Sequence, residues 1–149
     1  MEFWHYLLIA LAILGGAALA RGLYEPRHLA VTRQTLKANR NRGNDRRSIR
    51  VALFSDLHAD KLWIKPAQVA AEIKRQPVDL VFFVGDLTGN DQKAEQAKPF
   101  VDYLAAELNT AGIPFLAVPG NHDGPRAISV MQAAGLDVLL NEQRLFGLA

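Results

Sequence analysis

The 149-residue chain contains no cysteine, which excludes disulfides, zinc–thiolate sites and cysteine nucleophiles and leaves the redox compartment open. Histidine is scarce, at His5, His28, His58 and His122 only, so nothing after position 122 is an imidazole. Aromatic residues make up 8% of the chain, and the basic stretch holds too few of them to stack nucleic-acid bases. Asp, Glu, Lys and Arg are all missing from positions 3–20. No internal repeat or low-complexity tract interrupts the chain.

What fills 3–20 is a run of helix formers that would reach about 27 Å, close to the hydrocarbon thickness of a bilayer. Trp4 and Tyr6 suit one membrane interface, and Arg21 closes the other end. A cleaved signal peptide is the competing reading, because Ala18-Leu19-Ala20 fits a small-x-small cleavage site. The start Met1-Glu2-Phe3 lacks the positive charge such a peptide wants. A buried soluble helix is the third reading. The retained single-span anchor, residues 1–21, is adopted here.

Nine basic residues follow, at 21, 27, 33, 37, 40, 42, 46, 47 and 50, against Glu25 and Asp45. By the positive-inside rule this flank stays in the cytoplasm and the N-terminus lies outside. Residues 22–47 then form a basic juxtamembrane linker, either solvated or held against anionic headgroups.

The globular part begins at 48 and runs to 149. Strand-like runs at 49–54, 78–84, 113–118 and 137–140 alternate with helical patterns at 66–75, 91–109 and 125–134. The run 78–84 is nearly continuous in apolar residues, as expected of a strand buried on both faces of a parallel sheet. The alternation predicts an α/β fold with right-handed crossovers. Ligands in such sheets sit beyond the carboxyl ends of the strands.

Three polar phrases fall at that edge: Asp56-Leu57-His58, Gly85-Asp86 and Gly120-Asn121-His122-Asp123. Alternation along an extended strand would point Asp56 and His58 the same way. The carboxylate of Asp86 has two oxygens that can bridge two cations. The amide oxygen of Asn121 can ligate a second metal, leaving the adjacent imidazole for a different atom of the substrate. Taken singly, each phrase also reads as an ordinary turn. Together they bring oxygen and nitrogen donors suited to divalent metals, and two such ions suit phosphoester hydrolysis.

The phrases, extended to Phe54–His58, Val84–Leu87 and Pro119–Asp123, resemble the first three signature blocks of the calcineurin-like metallophosphoesterases. Tyr24-Glu25-Pro26 behind one hydrophobic span is similar to the membrane-anchored bacterial branch. That resemblance implies the βαβαβ half of a four-layer α/β/β/α sandwich behind one transmembrane helix in a bacterial inner membrane, and the basic flank puts its catalytic domain in the cytoplasm. It also implies two divalent ions, with Mn, Fe and Zn all compatible. Asp56 and His58 would hold the first, Asp86 both, and Asn121 the second. His122 would contact the phosphoryl oxygens or protonate the leaving group, and Asp123 would orient His122.

The chain departs from the family pattern by lacking the later histidine and Gly-His-x-His blocks. The expectation is therefore an N-terminal half of a metal-dependent phosphoesterase, itself inactive. Its substrate would be a phosphodiester or pyrophosphate, and the basic flank suits a lipid-linked one. A membrane-anchored interaction protein without catalysis is the alternative. Nucleic-acid binding is the less favoured third, and oligomeric state is not fixed by the sequence.

Overall fold

The structure is a computed structural model and describes residues 2–36 and 48–145. The chain divides into two compact units, Met1–Arg33 and Gln34–Ala149. The part of the basic linker at 37–47 lies outside the described residues.

The first unit is helix α1, Glu2–Tyr24, continued by a 3-10 turn, Glu25–Arg27. The helix outlasts the expected 3–20 run because Gly22, Leu23 and Tyr24 keep helical geometry until Pro26 ends it. Arg21 and Glu25 pair at 2.7 Å across that last turn. Twenty-three residues make a rod of about 34 Å. The helix is long and apolar enough to cross a membrane, and none of its apolar window is buried.

The second unit alternates strands β1 (Val51–Phe54), β2 (Leu80–Val84), β3 (Phe115–Val118) and β4 (Asp137–Val138) with helices α2 (Pro66–Lys74), α3 (Ala94–Thr110) and α4 (Pro125–Ala133). All neighbouring strands pair in parallel, in the order β1-β2-β3-β4. The expected α/β alternation is what forms. The expected helix over 91–109 opens instead with a 3-10 turn, Asp91–Lys93, before α3 takes over. The fourth strand is only two residues long.

Strands in sequential order joined by crossovers of one hand place every helix on the same face. The register bears this out. Ala52 pairs Val81, Phe83 pairs Ala117, and Ala117 pairs Val138. These side chains meet Ala70 and Ile73 of α2, Leu104 of α3 and Val130 and Met131 of α4 in two adjoining apolar clusters. The opposite face is different: Val51, Leu53 and Val84 are exposed, Leu53 by 66%. So β2 is not buried on both faces, as its continuous apolar run suggested. It alternates, with Val81 and Phe83 under the helices and Phe82 and Val84 turned the other way.

Candidate metal centre

The carboxyl ends of β1, β2 and β3 lie side by side, so the three loops that follow them are neighbours. Beyond Phe54 and Val84 the ladder between β1 and β2 continues as loop backbone. The Asp56 N–H donates to the Gly85 carbonyl at 2.9 Å, His58 to Asp86 at 3.1 Å, and Ala59 to Leu87 at 2.9 Å. This seam draws Asp56 and His58 alongside Asp86. One ligand atom from each of these three residues falls within 4.8 Å of the others.

The backbone reason differs from the sequence expectation. Asp56 (φ 51°), His58 (φ 42°) and Asp86 (φ 62°) all adopt the left-handed region, so strand alternation is not what aligns them. Each such residue costs about 1–2 kcal/mol relative to ordinary backbone, and the cross-loop hydrogen bonds hold them there. Gly85, at φ 77°, takes the same conformation freely.

The loop after β3 packs onto Asp86 without side chains between. A Cβ on Gly120 would lie 2.3 Å from the Asp86 Oδ1, and one on Gly85 would lie 2.4 Å from the Gly120 nitrogen. The His122 N–H donates to the Asp86 Oδ1 at 3.1 Å. The His122 ring stands 6.0 Å from the His58 ring, centroid to centroid. Asn121 lies between the two residues that touch Asp86, and both Asn121 and His122 are exposed to solvent.

Asp123 is buried, and its carboxylate faces backbone. It accepts from the N–H groups of Asp86 (2.7 Å), Leu87 (2.8 Å) and Gly120 (2.9 Å). The orienting role that the resemblance implies for it would need a bond to the His122 ring, and these acceptors are turned elsewhere.

Two further carboxylates escaped the sequence reading. Asp60 accepts from the Gly89 N–H at 3.1 Å and from the Lys93 ammonium at 3.0 Å, its side chain fully shielded. Burial opposes its charge, but the Gly89 hydrogen bond, Lys93 and Lys61 outweigh that and hold its pKa below the ordinary carboxyl value. Asp91 accepts from Ala127 at 2.8 Å, at the start of α4. Nothing in the spacing announces Asp60. The uncapped Gly124-Pro125 entry to α4 was the available signal that an outside acceptor was needed.

The donor chemistry fits a divalent cation: two carboxylates and an imidazole, hard to borderline, open to solvent on one side. A family model for calcineurin-like phosphoesterases matches residues 49–146. The chain belongs to that family. A comparison with curated protein sequences returns no match. Within the family's metal-dependent chemistry, Asp56, His58 and Asp86 are the group that the fold brings together and that could hold a metal ion, among the described residues.

Proposed function

We propose that the chain is a membrane-anchored, metal-dependent phosphoesterase acting on a phosphodiester or pyrophosphate. The observation that carries the reading is the convergence of Asp56, His58 and Asp86 at the edge of a parallel sheet in a member of this family. Asp56, His58 and Asp86 would hold one divalent ion, and Asp86 with the amide oxygen of Asn121 would serve a second. Bound there, the ions supply Lewis-acid charge for in-line displacement at phosphorus. His122, exposed beside His58, is free to meet a phosphoryl oxygen or to give a proton to the departing oxygen.

Helix α1 supplies the anchor, and the nine basic residues from 21 to 50 keep the catalytic unit on the cytoplasmic side against anionic headgroups. A lipid-linked phosphate suits an active edge tethered this way. The alternative is a membrane-anchored interaction protein without turnover.

The test is Mn2+ titration of the full chain in micelles, paired with hydrolysis of bis(p-nitrophenyl) phosphate. Mn2+ uptake that is lost in Asp86→Ala and His58→Ala supports the metal centre. No uptake by the unmodified chain sinks it. Uptake without hydrolysis selects the non-catalytic alternative.

A further inference from the structure

Helix α4 begins where its own sequence offers no cap. Gly124 occupies the N-cap position without a side chain, and Pro125 has no N–H to satisfy. The Ile128 N–H turns back to the Gly124 carbonyl at 3.1 Å. The two amides that remain, of Arg126 and Ala127, both donate to Asp91, at 3.4 and 2.8 Å. One carboxylate from the loop after β2 thus takes the free N–H groups of both Arg126 and Ala127. Gly124 is required here by space and not by backbone angle, since its φ is −93°. A Cβ at 124 would lie 2.7 Å from the Asp91 Cγ.

Gly124 ends the segment that carries Asn121 and His122. The other end is held by Asp123, whose carboxylate takes the Gly120 N–H at 2.9 Å. We infer that Asp91 is a positioning residue, whose grip on the start of α4 sets where Asn121 and His122 stand relative to Asp86 and thereby the affinity for a second divalent ion. One loop then carries both a metal ligand, Asp86, and the brace for the neighbouring arm, Asp91. The clause on affinity rests on the metal reading above. The brace itself does not.

The test compares the full chain in micelles with Asp91→Ala, Asp91→Asn, Gly124→Ala and the Asp91→Ala/Gly124→Ala double variant. Amide hydrogen exchange over 120–123 should quicken about tenfold or more in Asp91→Ala, a local opening, while β2 and β3 stay unchanged. Asp91→Asn keeps an acceptor oxygen and should restore most of the protection. Gly124→Ala should reproduce the opening by displacing the carboxylate, and the double variant should be no worse than Asp91→Ala alone. In Mn2+ titrations the second ion should bind about tenfold more weakly or worse, and the first as before. Unchanged exchange at 120–123, quickening shared by β2 and β3, or an additive double variant would each overturn the brace. A chain that takes up no second Mn2+ overturns the affinity clause together with the metal reading, while exchange still decides the brace.

Discussion

Between the loops after β1 and β2 the residues nearest the site are joined through backbone, three amides of 56–59 donating to three carbonyls of 85–87. Farther out, the Asp60 side chain binds Gly89 and Lys93. Between the loops after β2 and β3 the joining is done by carboxylates, Asp123 on Asp86 and Leu87, and Asp91 on α4. The two seams fail in different ways. A backbone seam ignores side-chain identity but tolerates no movement of the chain. A carboxylate seam is cut by a single substitution that leaves the chain path intact. Asp56, His58 and Asp86, the three residues that could hold a metal ion, lie on the first seam, while Asn121 and His122 are joined through the second.

The largest effect expected is at Gly85, where the seams meet. Alanine there would have to adopt φ 77° and would press its Cβ to 2.4 Å from the Gly120 nitrogen. Left-handed backbone costs about 1–2 kcal/mol and overpacking about 1–3 kcal/mol. Gly85→Ala should therefore lose about 3 kcal/mol or more of stability in urea unfolding. A loss below about 1 kcal/mol would show that the loops can separate, and would break the contrast between a rigid seam and a cuttable one.

Asp123→Ala comes next. It leaves three backbone N–H groups without an acceptor in a buried setting, at about 1 kcal/mol or more each. The expected loss is about 2–3 kcal/mol, with Asp123→Asn falling between alanine and the unmodified chain because one acceptor oxygen survives. Equal stability in all three proteins would remove the carboxylate seam from the account.

Asp60 ties the first seam from outside, through Gly89 and Lys93. Its pKa in the folded chain lies below the ordinary 3.8. A carboxyl lowered by folding stabilises above its unfolded pKa, and that contribution is lost as pH falls through the folded value. Asp60→Asn should therefore flatten the acid limb of the stability–pH curve below about pH 4, and change its height less than Asp123→Ala does. An acid limb of unchanged slope would mean that Lys93 and Gly89 do not discriminate the charged form.

Which of these features could be read in the sequence follows from what kind of signal each leaves. Apolar runs and Pro/Gly punctuation marked all four strands and three crossover helices, because period and breakers are local. Asp56, His58 and Asp86 were legible because a ligand needs a specific side chain at a strand end. The left-handed backbone at those same residues was not, since Asp and His enter that region only occasionally, whereas glycine at 85 adopts it freely. Asp60, Asp91 and Asp123 serve backbone N–H groups more than twenty residues away in the chain or across a loop, and any carboxylate looks alike until the loops are neighbours. The one-sided burial of β2 was hidden for a similar reason: Phe82 and Val84 are as apolar as the residues under the helices.

His122 should give the smallest change in stability and the clearest test of how the seams divide the labour. Its side chain is exposed, and the bond it makes to Asp86 uses its backbone N–H, which alanine retains. His122→Ala should leave stability within about 0.5 kcal/mol, as for most surface changes. With His122 reserved for the phosphoryl group and not for the metal, Mn2+ uptake should also survive, whereas Asp86→Ala should abolish it. Where the chain turns over phosphodiester, His122→Ala should slow it by about a hundredfold, the ordinary contribution of a positioned acid or base. Equal loss of Mn2+ in both variants would refute a separate role for His122. It would also mean that His122 itself, and not only Asn121 beside it, belongs to the metal's ligand set.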